Sequence, residues 1–78
     1  MQPGDLIVVR RRPDGVLPDE VLLWIQDPAG HTQVAGRTAG GELLVFLGPG
    51  AANTVRVLHP VHGVRLMHWT YAQSLEIL

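Results

Sequence analysis

Three histidines lie close together near the end of this chain: His59, His62 and His68. His59 and His62 are three residues apart and flank Pro60, and His68 lies on the return arm of the same hairpin-like stretch. A zinc or nickel site needs three or four ligands converging at about 2.0 to 2.3 Å from the metal. Across a hairpin, His59 and His68 would face each other, with His62 at the tip. The chain has no cysteine to add a thiolate, and the nearest obvious carboxylate is Glu76. Turn and surface roles account for these histidines more simply, so neither metal nor cofactor is expected.

Hydrolytic chemistry has fewer candidates. Ser74 is the only serine. With His68 and Glu76 it assembles the residue types of a triad, but no elbow glycines surround it. Asp19, Glu20 and Asp27 are explained by turn and cap positions. Gly48-Pro49-Gly50 lacks the lysine and the following helix of a phosphate loop. No catalytic residue is assigned, and the chain is not expected to be an enzyme.

Arg10-Arg11-Arg12 is the only run of charge. Such a run could contact phosphates, and on a folded surface Arg37, Arg56 and Arg65 could join it. Trp69 or Tyr71 would then serve as a stacking platform. Against this, the net charge is -1, so no strong field draws the chain to nucleic acid or to an anionic membrane. A protein partner, or a second copy, contacted through Arg11, Arg12, Trp69 and Tyr71 is the favoured reading. Nucleic-acid binding through Arg10, Arg11, Arg12, Arg56 and Arg65 is the alternative.

The elements that position these residues read as short strands. Leu6 to Arg10 is the first, and its unbroken apolar run Leu6-Ile7-Val8-Val9 suggests contacts on both faces. Pro13 and Asp14-Gly15 open a long connection through Asp19. Glu20 to Gln26 follows, ended by Asp27-Pro28, with Trp24 expected in the core. His31 to Arg37 is a weak polar edge strand, and Glu42 to Leu47 a strong one. Gly48 to Asn53 forms a loop. Thr54 to His59 and Val64 to Trp69 make a hairpin turned on Pro60 and Gly63. Thr70 to Ser74 reads as one 3₁₀-like turn, and Leu75 to Leu78 as a last strand.

Seventy-eight residues make one domain, 1–78, with a thin margin of stability. An apolar fraction of 46% argues for a core and, in so small a chain, for self-association. No run approaches the roughly 18 apolar residues of a membrane span, and no export signal precedes the first strand, so a cytoplasmic location is expected.

Three stretches carry a family likeness: Pro3-Gly4-Asp5-Leu6-Ile7, the return through Trp69 into Tyr71 to Gln73, and the ending Ser74-Leu75-Glu76-Ile77-Leu78. With a long loop after the first strand and a single turn before the last, they resemble the SH3-like barrel. The likeness is to small stand-alone SH3-like proteins, many of them encoded by bacteriophages. It implies an all-β small barrel of five or six short strands, and a structural or accessory role in the host cytoplasm or the virion. The Gly-Asp opening is also similar to small endoribonuclease toxins of SH3-like fold, though those are longer. Polyproline binding is not implied, because Arg11 to Asp19 contains no aromatic residue.

Overall fold

The computed structural model describes residues 1–9, 20–39, 41–51, 53–72 and 75–78. It contains strands β1 (Leu6–Val9), β2 (Glu20–Gln26), β3 (Thr32–Ala39), β4 (Leu43–Pro49), β5 (Thr54–His59), β6 (Gly63–His68) and β7 (Leu75–Ile77). One helical turn, α1 (Trp69–Ala72), stands between β6 and β7. It is a single α-helical turn at Trp69–Ala72 where a 3₁₀-like turn over 70–74 was expected. No helix among the described residues is long and apolar enough to cross a membrane.

All strands join one antiparallel sheet in the order β3-β2-β6-β5-β4-β1-β7. Two expectations are corrected. The strands number seven where a barrel of five or six was expected; each lies on a run read as a strand, and the polar β3 pairs with β2 on both sides of a bulge. The sheet also does not close: among the described residues its outer strands β3 and β7 do not pair with each other. The β2–β3 hairpin instead extends the sheet beyond β6, which it joins at Trp24 opposite Leu66.

Strand alternation decides the core. β5 buries Val55, Val57 and His59 and exposes Arg56 and Leu58. Opposite them, Met67, Phe46, Leu44 and Ile7 point the same way, and β2 adds Val21 and Leu23. Tyr71 and Leu75 pack against this cluster. Trp24, expected in the core, is only half-buried. With Leu23 fully buried, its neighbour must point to the other face.

Two bulges bend the sheet. On β3, Ala35 and Gly36 together oppose the single residue Leu23. On β4, an extra residue enters between Phe46 and Gly48. Gly36 has φ of 135°, and a Cβ there would stand 2.8 Å from the His62 ring. Gly63 also has a positive φ, 80°, but open space around it. Gly36→Ala therefore meets both backbone strain and a clash, and should lose about 1–3 kcal/mol or more in urea unfolding. Gly63→Ala should lose less, from strain alone.

Thr38 lies on β3 with no exposure, and its hydroxyl has no hydrogen-bond partner among the described residues. Thr38→Val replaces that hydroxyl with a methyl of similar shape. It should raise the urea midpoint, by about 1 kcal/mol of stability. An unchanged or lowered midpoint would show that the hydroxyl is satisfied.

Candidate functional site

His59 is the most constrained polar group of the chain. Strand alternation points it inward, and it is 3% exposed. A buried imidazole needs partners for both nitrogens. Nε2 lies 2.7 Å from Glu42 Oε2. Nδ1 accepts the backbone N–H groups of Val61 at 3.0 Å and His62 at 3.2 Å. Two donors on Nδ1 require that it carry no proton, so the proton sits on Nε2 and points at the carboxylate. Glu42 in turn accepts the Ala39 N–H through Oε1 at 3.0 Å, while its own N–H donates to Ala39 O. The His62 ring covers His59 at 4.6 Å between centroids, and its far side rests on Gly36. One imidazole thus ties the β3–β4 turn to the β5–β6 turn.

This arrangement works against the chemistry for which the residue types were first considered. Nε2 is turned to Glu42 and Nδ1 to two turn amides, so neither nitrogen of His59 is presented to a substrate or a metal. The register also separates the histidines: His59 pairs with Gly63, and His68 pairs with Thr54 at the opposite end of the hairpin. His59 and His68 therefore do not face each other. His68 is exposed, accepts the Thr70 N–H on Nδ1 at 3.2 Å, and meets Tyr71 edge-on. No group of three or more His, Cys, Asp or Glu side chains among the described residues could hold a metal ion. Ser74 lies outside the described residues.

The arginines do not form one patch among the described residues. Arg10, Arg11 and Arg12 lie outside them. Arg56 pairs with Leu66, and Arg65 with Val57, so the two side chains leave opposite faces of the sheet. Arg65 is occupied: Nε donates to Ala35 O at 2.9 Å and Nη1 to Val64 O at 2.8 Å. The bulge at Ala35–Gly36 turns that carbonyl toward it. Arg56 is exposed near Trp24, with which it lines a shallow hollow.

Trp69 and Tyr71 share α1 but line different hollows. The Trp69 indole, 53% exposed, walls a hollow of about 520 Å³ with Pro3, Phe46, Pro49, Asn53 and Val55. Tyr71, half-buried against the core, faces Leu22, Trp24, His68 and Thr70.

One surface feature was not among the sequence candidates. Leu6, Val45, Leu58 and Val64 stand in direct cross-strand register over β1, β4, β5 and β6. They form one apolar row across the outer face of the sheet. Leu6 is 42% exposed, Leu58 40% and Val64 48%, which is high for aliphatic residues in a sheet centre. A parallel row adds Val8 and Leu43, the latter 49% exposed. Its sequence signal is the lack of alternation in β1 and β4.

The Glu42 carboxyl is held below its ordinary value of 4.5, first by the Ala39 N–H bond. Burial opposes this, and the His59 hydrogen bond and charge support it. A depressed folded value means that Glu42 stabilises the fold fully above about 4.5 and ceases to as pH falls through that lower value. Its side chain is 39% exposed, so solvent screens the effect. Glu42→Gln should therefore flatten the acid limb of stability against pH, measured by urea midpoints, and lower stability near neutrality. Searches among protein-family models, curated proteins and solved structures found no match to this chain, so its role is argued from this geometry.

Proposed function

We propose that this chain is a non-enzymatic interaction module, of SH3-like strand arrangement, that self-associates through the outer face of its sheet. The observation that carries this is the Leu6–Val45–Leu58–Val64 row. Strands that are apolar on both faces are built for contact on both, and the described residues cover only the inner one. Aliphatic surface gains about 25 cal/mol for each Å² removed from water. A contiguous exposed patch of this kind marks a contact site rather than ordinary surface scatter.

A second copy suits the face better than a charged partner does. The four residues of the row carry no charge, and the exposed Arg56, two residues along β5 from Leu58, stands at its margin, where it stays in water as the row meets its own image across a two-fold axis. Two such sheets stack at about 10 Å, with aliphatic side chains interleaved. The principal extents are 39 × 25 × 22 Å. A broad face of that size is on the order of the 800 Å² that each partner gives to a standard interface. The SH3-like assignment is supported by the long connection between β1 and β2, the single helical turn before β7, and the return of β7 to β1.

Light scattering should give twice the chain mass at neutral pH, indifferent to added salt and to short nucleic acid. Leu58→Lys should give the chain mass with strand content retained by circular dichroism, because Leu58 lies outside the core. A wild-type monomer at high micromolar concentration would sink the reading. A mass that rises only with nucleic acid at low salt would favour the arginines instead.

A further inference from the structure

We propose that the His59 latch regulates this self-association, protonation of its Nδ1 opening the β5–β6 turn and releasing the partner copy. The inference rests on the self-association reading above, because the latch holds the end of the row where that contact is made. Leu58 immediately precedes His59, and Val64 immediately follows Gly63. The His59–Gly63 and Leu58–Val64 pairs are the last two rungs of the hairpin. Between them, the turn through Val61 and His62 is fastened by two N–H groups that both end on one lone pair.

A proton on Nδ1 removes that lone pair and sets a third N–H against the two already there. At 3% exposure, water does not replace the lost acceptor unless the turn moves. The charges around the ring then decide the direction. Glu42, immediately before β4, is the one carboxylate bound to it among the described residues, at Nε2. Its attraction favours the imidazolium but acts on the other nitrogen, so it does not restore the turn. His62 lies on the ring at 4.6 Å between centroids and brings it no negative charge. Arg65, from β6, is a further cation on the inner face, held at Ala35 beside the glycine on which His62 rests. The cationic ring therefore stays with Glu42, while the turn carrying His62 leaves it. Opening the turn loosens Val64 from Leu58 and removes the β6 end of the apolar row.

The test compares wild type with His59→Asn by light scattering at about pH 7.5 and about pH 5, at equal ionic strength. The Asn Oδ1 reaches the position from which Nδ1 accepts the turn amides, and it does not titrate. Wild type should be a dimer at the higher pH and bind itself at least about tenfold more weakly at the lower. His59→Asn should remain a dimer at both. In ¹⁵N–¹H spectra of wild type, the Val61 and His62 amides should shift with the same midpoint as the mass, a readout that needs no variant to fold. A dimer unchanged in acid overturns the proposal and leaves self-association standing. So does a His59→Asn dimer that dissociates as wild type does, or turn amides that do not follow the mass. A wild-type monomer at the higher pH overturns self-association, and the regulation with it.

Discussion

A sheet has two faces, and the described part of this chain packs a core on only one of them. The nine buried aliphatic and aromatic side chains all belong to the inner cluster. Among the described residues the one helix is a single turn, and no second layer lies on the other side. In a domain this small, burial on folding is already a modest fraction of the chain surface. The row Leu6–Val45–Leu58–Val64 across the outer side of β1, β4, β5 and β6 is nonetheless aliphatic. The rest of the structure follows from that asymmetry: a curled sheet packed on its inner side, fastened at its turns, with an apolar back.

The fastening is polar because the curl needs it. A sheet that bends over its own core brings its turns together, and their backbone groups must find partners as water is excluded. His59 supplies one acceptor and one donor from a single side chain, and Glu42 carries the connection on to Ala39. The bulge at Ala35–Gly36 completes it from β3. It turns the Ala35 carbonyl to Arg65 and leaves a bare glycine for His62 to lie on. These contacts join positions far apart in sequence, such as Glu42 and His59, seventeen residues apart. A histidine, a glutamate and an arginine, the residue types that first suggested chemistry, are thus used to hold four strands in place.

Much of this was legible from the residues, and what was not has a common cause. Strand positions followed from apolar runs cut by Gly and Pro, which are local signals. His59, for which a turn or surface role was expected, is buried, because it continues the inward alternation of Val55 and Val57. Its partner could not be read, because only the register of β4 on β5 brings Glu42 beside it. Trp24 shows the same limit. In Val21-Leu22-Leu23-Trp24-Ile25 every residue is apolar, so parity was open, and tertiary pairing with Leu66 turned the indole outward. The polar β3 was legible only as a weak edge strand, and its pairing with β2, with the Arg37–Glu20 ion pair, holds it at that edge. The apolar back was implied by the unbroken run in β1, but which side would stay open depended on the whole sheet.

The edges of the sheet explain why association falls to its face. An edge strand offers unpaired N–H and C=O groups to any other chain, and a long flat edge is the usual route to strand-by-strand pairing. Neither edge here suits that use. β3 is eight residues long, but its bulge and positive-φ glycine break the ladder near its middle, and Thr32, Gln33 and Arg37 are exposed along it. β7 is three residues long, too short to template much pairing. A partner that added a strand would gain few backbone bonds at either side. A partner laid across the outer face covers four aliphatic residues in register at once, with no bulge in the row they form. Edges blunted by sequence and a face left apolar by the same sequence are two parts of one specification, and together they direct contact to the middle of the sheet.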